Sequence, residues 1–133
     1  MKTKGTKNKM IIHHIGLAVT SKSEVNRFYE TVLELTPDYQ FRIEAPLARQ
    51  IFSDSLQAVD VHMVKNETVA LELFVHSDAQ PPVLGHICFQ VHNRRALVER
   101  ARQGGYRVDV IPRENADLIF VFDHAQNRFE IKE

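Results

Sequence analysis

The sequence predicts an α+β fold built from two βαβββ modules, and two observations carry that reading. First, His14-Ile15-Gly16-Leu17-Ala18-Val19 and His86-Ile87-Cys88-Phe89-Gln90-Val91 share the pattern His-Ile-x-apolar-x-Val. Second, each stretch is followed by a segment of helical periodicity and then by alternating apolar segments, the last of which holds a glutamate between apolar neighbours. A duplicated order of strand, helix and three strands accounts for both.

The elements follow in order. Lys2, Lys4, Lys7 and Lys9 crowd an opening that has too little apolar surface to join a core, so residues 1–9 read as a flexible tail and residues 10–133 as a single domain. Period-two alternation makes His14–Val19 a strand with Ile15, Leu17 and Val19 on one face and His14 on the other. Ser21-Lys22-Ser23-Glu24 has capping-box spacing, and Val25, Phe28, Tyr29, Val32 and Leu33 recur as one helical stripe. Strands are expected at Arg49–Ser53, Val59–Val64 and Val69–Val75, completing module one (10–76). Residues 77–84, with Pro81-Pro82, read as the linker. Module two (85–133) repeats the order. His86–Val91 is its first strand, and Asn93 caps a helix with Ala96, Leu97, Val98 and Ala101 inward, ended by Gly104-Gly105. Strands follow at Tyr106–Ile111, Leu118–Phe122 and Arg128–Lys132.

Composition narrows the function. The 133 residues carry 17 Lys plus Arg against 17 Asp plus Glu and are 44% hydrophobic, which suits a folded domain. The body beyond the basic tail is mildly acidic, so nucleic acid is not an expected partner. No apolar run has the length of a signal peptide or a membrane span, so a cytoplasmic protein without a membrane partner is expected. Cys88 is the single cysteine. It can form no internal disulfide and no Cys-based zinc site, so any metal must be held by histidine and carboxylate.

Strand parity places His14, Glu72, His86 and Glu130 on the face opposite the helices. A solvent-facing sheet surface would explain each of them singly. Their repetition points instead to two modules packed side by side, with two imidazoles and two carboxylates around one point. Such a set suits one divalent ion, Ni, Zn, Co, Mn or Fe, and leaves positions open for water or substrate oxygens.

With those motifs in view, the chain from Ile11 to Glu133 resembles the vicinal oxygen chelate superfamily of glyoxalase I, methylmalonyl-CoA epimerase, extradiol dioxygenases, fosfomycin-resistance proteins and metal-free bleomycin-binding proteins. His14 in His-His-Ile-Gly-Leu-Ala-Val, Glu72 in Leu-Glu-Leu, His86 in Gly-His-Ile-Cys-Phe-Gln-Val and Glu130 in Asn-Arg-Phe-Glu-Ile match its four metal positions. The resemblance implies a cup-shaped mixed sheet with helices on the outside, commonly in a homodimer. Glutamate at the Glu72 position is glyoxalase-like. That branch implies a metal-dependent lyase, isomerase or epimerase moving a proton beside a metal-polarised carbonyl of a small oxygenated substrate. Glu130 is then the expected base and Glu72 its possible partner. The basic residues that anchor glutathione in glyoxalase I have no match here. Before the last strand, Asp123-His124-Ala125-Gln126-Asn127 replaces the Asp-Pro-Asp-Gly-Asn of many relatives, with Asn127 keeping the register that turns Glu130 inward.

Phe74, Gln90, Arg49 and Phe120 are the expected substrate-binding residues, with His62 either in the cup wall or facing solvent. His13 has the opposite parity to His14, and His76, His92 and His124 fall at strand ends or turns, where a solvated role is the default. Cys88 shares the parity of His86 and reads as packing material rather than a reactive thiolate. Competing functions are an iron-dependent dioxygenase, a fosfomycin-type thiol transferase and a non-catalytic small-molecule binder on the same fold.

Overall fold

A computed structural model describes residues 8, 10–52, 57–82 and 84–133. The other residues of the expected tail, Ser53 and Val83 fall outside these. Two four-stranded mixed sheets form, one per module, and they remain separate and open. In module one β1 (Ile15–Val19), β2 (Thr36–Ile43), β3 (Val59–Lys65) and β4 (Ala70–Val75) are ordered β1-β4-β3-β2. In module two β5 (Ile87–Gln90), β6 (Val108–Ile111), β7 (Leu118–Phe122) and β8 (Arg128–Lys132) are ordered β5-β8-β7-β6. The first and last strands of each module pair in parallel, with Gly16 opposite Glu72 and Cys88 opposite Glu130. The pairing register is therefore the same in both modules.

Three local expectations change. The segment expected as a strand at Arg49–Ser53 is instead helix α1 (Ala45–Ile51), with Pro46 in its first turn and Ala48 buried beneath it. The strand lies earlier, as β2, an edge strand whose residues are all exposed except Ile43 and whose register shifts between Pro37 and Gln40. Such an edge has no buried face to impose alternation, so its sequence carries no strand signal. The helix after β1 winds as a π-helix over Val25–Glu30, burying Val25, Phe28 and Tyr29. Nor does Glu24 close a capping box: it makes no cap hydrogen bond and its side chain leaves the module. Helix α2 (Arg94–Gln103) is as expected, with Asn93 Oδ1 accepting from the Ala96 N–H at 3.0 Å and Gly105 at φ 81° just past its end.

The modules join through their helix-side faces. Phe28 and Tyr29 of module one lie 5.6 and 6.0 Å from the Phe129 ring of module two. Leu71, Leu73, Val19, Leu97, Ala101 and Ile131 share the same core. Arg100 donates from Nη2 to the Val32 carbonyl at 3.0 Å across the junction.

Polar groups lock this core. Glu24, fully buried, accepts from the Tyr106 hydroxyl at 2.5 Å and from the His124 N–H at 2.8 Å. The Tyr29 hydroxyl donates to Asp123 Oδ2 at 2.5 Å, and Asn127 donates from Nδ2 to Asp123 at 2.9 Å and to the Ala18 carbonyl at 2.7 Å. Burial raises the pKa of Tyr29 and Tyr106 well above the ordinary phenol value, with Asp123 and Glu24 respectively adding to it, so both phenols stay protonated as donors. The turn before β8 closes with Gln126 at φ 67°. Asn127 sits inside the lock, and Glu130 falls opposite Phe120.

Candidate metal centre

Each module presents a histidine and a carboxylate on the face its helix leaves bare. His14 stands just before β1 and Glu72 lies in β4, with His14 Nε2 3.2 Å from Glu72 Oε1. His86 stands just before β5 and Glu130 lies in β8, with His86 Nε2 3.4 Å from Glu130 Oε1. In both cases the carboxylate stands beside the residue two positions after the histidine. The glutamates are largely shielded, at 16% and 14% side-chain exposure, whereas the histidines are open at 36% and 43%. His13 turns its Nδ1 to that of His14 at 2.8 Å and is the neighbour of the pair, not its donor to Glu72.

Within one chain His14, Glu72, His86 and Glu130 do not gather around one point. Among the described residues no three His, Cys, Asp or Glu side chains are grouped to hold a metal. The cause is the way the modules pack. Leu71 and Leu73 flank Glu72, Phe129 and Ile131 flank Glu130, and those neighbours are the ones buried in the shared core. Alternation then turns both glutamates away from it. One chain thus offers two half-sites of two donors each. The donor types suit a first-row divalent ion, but two donors are too few, and a full set requires two half-sites to face one another.

The neighbouring positions differ between the halves. Phe120 stands directly across from Glu130, its ring 6.2 Å from that of His86, and Lys132 Nζ lies 3.7 Å from Glu130 Oε2. Gln90, exposed, pairs with Lys132 on this face. A cavity of about 420 Å³ between the β6–β7 loop and β8 reaches Glu130 and Lys132. In module one Phe74 lies on the Glu72 face, packed against Val59, Val61 and Ala48. Arg49 is exposed on α1.

His62 is a correction. It pairs with Leu73, not with Glu72, so it lies on the opposite sheet face, near Lys22 and Asp60. Burial pushes its imidazole below the ordinary value and Lys22 adds to this. Its place opposite Glu72 belongs to Met63, which the period-two run Val59, Val61, Met63 could have signalled. Cys88 is exposed beside Glu130, and burial followed by the Glu130 charge pushes its thiol up, away from a reactive thiolate. His124 is not simply solvated: its ring stacks on Tyr106 at 4.4 Å and its Nδ1 lies 3.3 Å from buried Glu24.

No helix among the described residues is long and apolar enough to cross a membrane. No protein of curated function matches the sequence. Among solved structures, the genomically encoded fosfomycin resistance protein FosX from Listeria monocytogenes superposes with a TM-score of 0.70 at 16% identity, over 93% of each chain. A variant of that FosX, solved with Mn(II) and a dihydroxypropylphosphonic acid, gives a TM-score of 0.69 at 18% identity, over 91% of this chain and 90% of its own. A glyoxalase family protein from Bacillus cereus gives 0.70 at 19% identity, over 96% of this chain and 97% of its own. At these identities the likeness is one of fold. The sequence model of the Glyoxalase/Bleomycin resistance protein/Dioxygenase superfamily matches residues 13–127, from the histidine pair before β1 to the turn before β8, and the chain belongs to that superfamily.

Proposed function

We propose that the protein is a metal-dependent enzyme of the glyoxalase-like kind, moving a proton next to a carbonyl of a small oxygenated substrate as a lyase, isomerase or epimerase. The observation that carries this is the duplicated half-site: two imidazole–carboxylate pairs in one register, both facing away from the core that joins the modules. In a two-fold homodimer, His14 and Glu72 of one copy would face His86 and Glu130 of the other, and symmetry would make two such sites. The ion held there, Ni, Zn, Co, Mn or Fe, would supply Lewis-acid polarisation of the substrate oxygens.

The chain's own residues do the rest. Glu130 is the proposed base, because the superfamily resemblance gives the matching carboxylate that duty and its Oε1 lies toward His86, with Oε2 on the open side of the sheet near Lys132. Glu72 is the alternative base from the other half. Phe120 and Phe74 flank the pairs and keep water from the reacting carbon; Gln90 and Arg49 are proposed substrate contacts at the rim.

A fosfomycin-type reaction is the second reading, supported by the FosX likeness and by Lys132 as a cation for a phosphonate. Incubation with fosfomycin, with and without added thiol, tests it: consumption supports the second reading, and no consumption removes it.

The main proposal is tested by metal analysis of wild type, His14→Ala, His86→Ala and a refolded mixture of the two variants. Each variant alone should bind essentially no metal. Random pairing should restore about a quarter of the wild-type sites, since mixed dimers hold one intact site and one doubly damaged site. Wild type without bound metal refutes the metal reading. A mixture no better than its parents refutes assembly between copies.

A further inference from the structure

The two half-sites share their donors but not their surroundings, and the difference is built in. Beside Glu72, β1 supplies Gly16 and then Ala18, and β4 continues to Phe74. The equivalent positions in module two are Cys88, Gln90 and Lys132. Gly16 matters because a Cβ there would lie 2.7 Å from Phe74 Cε2. The ring is therefore not standing over its own strand partner Ala18. It leans back across Gly16, the residue directly beside Glu72 and two after His14.

The ring is also held there. Phe52 meets it edge-on at 5.0 Å, and Ala48, Val59 and Val61 pack against it. Ala48 and Phe52 come from α1 and its end, an element with no counterpart between β6 and β7. The added helix thus braces the aromatic wall beside Glu72, while in module two the positions of Ala18 and Phe74 are taken by Gln90 and Lys132, and the ring beside His86, that of Phe120, has no such helix behind it. Phe52 remains 44% exposed, so this wall is not closed by the protein's own core.

We propose that Phe74, seated on Gly16 and braced by Phe52, selects a substrate that carries a planar apolar group next to its chelating oxygens. The planar group lies against the Phe74 and Phe52 rings, and the polar end lies toward the other half-site. This rests on the metal reading above. An apolar ring laid against two aromatic side chains gains both burial and aromatic contact, which a methyl group of the same chelator cannot match.

Benzohydroxamate and acetohydroxamate have the same pair of chelating oxygens and differ only in the apolar body. Calorimetric titration of the Mn(II)-loaded protein with each, alongside its Mn content, reads the selectivity directly. Wild type should prefer benzohydroxamate by about tenfold or more. The preference should fall toward unity in Phe74→Ala and in Gly16→Ala, whose methyl displaces the ring, with Mn content unchanged. Thermal melts identify any variant that fails to fold. If Phe74→Ala does so, Gly16→Ala and Phe74→Leu decide. Equal affinities in wild type, or a preference that survives in the folded variants, overturns the substrate class while Mn binding stands. Absence of Mn in wild type overturns the metal reading and this inference together.

Discussion

Replacing Glu24 with alanine removes a fully buried carboxylate that reaches from the π-helix of module one into module two. The wild-type side chain accepts from the Tyr106 hydroxyl at 2.5 Å and from the His124 N–H at 2.8 Å, and it lies 3.3 Å from His124 Nδ1. Hydrogen bonds to a charged group contribute about 1.5–3 kcal/mol each, and two are lost together, so the loss starts at about 3 kcal/mol. The Tyr106 hydroxyl, on a residue only 5% exposed, would be left without its acceptor. Glu24→Ala should therefore lose about 3–5 kcal/mol in a urea titration, a drop in Tm of roughly 10–20 °C for a domain of this size. Glu24→Gln, which keeps the volume and one acceptor, should lose distinctly less. Ser23→Ala, next door and exposed, should change stability by no more than about 0.5 kcal/mol. If Glu24→Ala unfolds within about 1 kcal/mol of wild type with an unchanged urea dependence, the carboxylate does not hold the modules together and the reasoning fails.

Further expectations concern the same lock and the helix end. Asp123 is buried, and that burial raises its carboxyl above the ordinary value despite the bonds from Tyr29 and Asn127. A raised folded-state value means that the native protein holds this proton more tightly than the unfolded chain does. Stability should then fall as pH rises from about 3.9 through the raised value. Asp123→Asn should remove that decline, so a series of urea titrations from mildly acid to neutral pH should show the variant's curve flatter; parallel curves would count against the assignment. Gly105 has φ 81° with open space around its α-carbon. Gly105→Ala should thus cost about 1 kcal/mol through backbone strain alone, and a melt indistinguishable from wild type would show that this backbone relaxes.

Several features of the fold were legible in the chain because strand alternation has period two. Once His14 and Glu72, or His86 and Glu130, are assigned to strands, their face follows. The structure bears this out: Leu71, Leu73, Phe129 and Ile131 are in the core and the glutamates are not. Helix α2 was legible for the same kind of reason, with a cap at Asn93 and glycines at its end. Less could be read where no face is buried. Strand β2 is exposed along almost its whole length, so nothing in its residues marks a period, and the end of the helix that follows it has the apolar pattern of a strand. His62 was open between two faces until its pairing with Leu73 decided the matter. Glu24 has capping-box spacing, yet the stronger attraction for a buried carboxylate was a pair of donors 82 and 100 residues away in sequence.

The sequence by itself determined that there are two alike modules, and that each carries one histidine and one glutamate on a single sheet face, because local alternation and duplication are written residue by residue. Only the tertiary structure decided that the modules join through their helix sides. That junction follows from which apolar faces are large enough to bury each other, and it is why one chain holds two separate histidine–glutamate pairs, with the Phe74 ring over Gly16 beside only one of them.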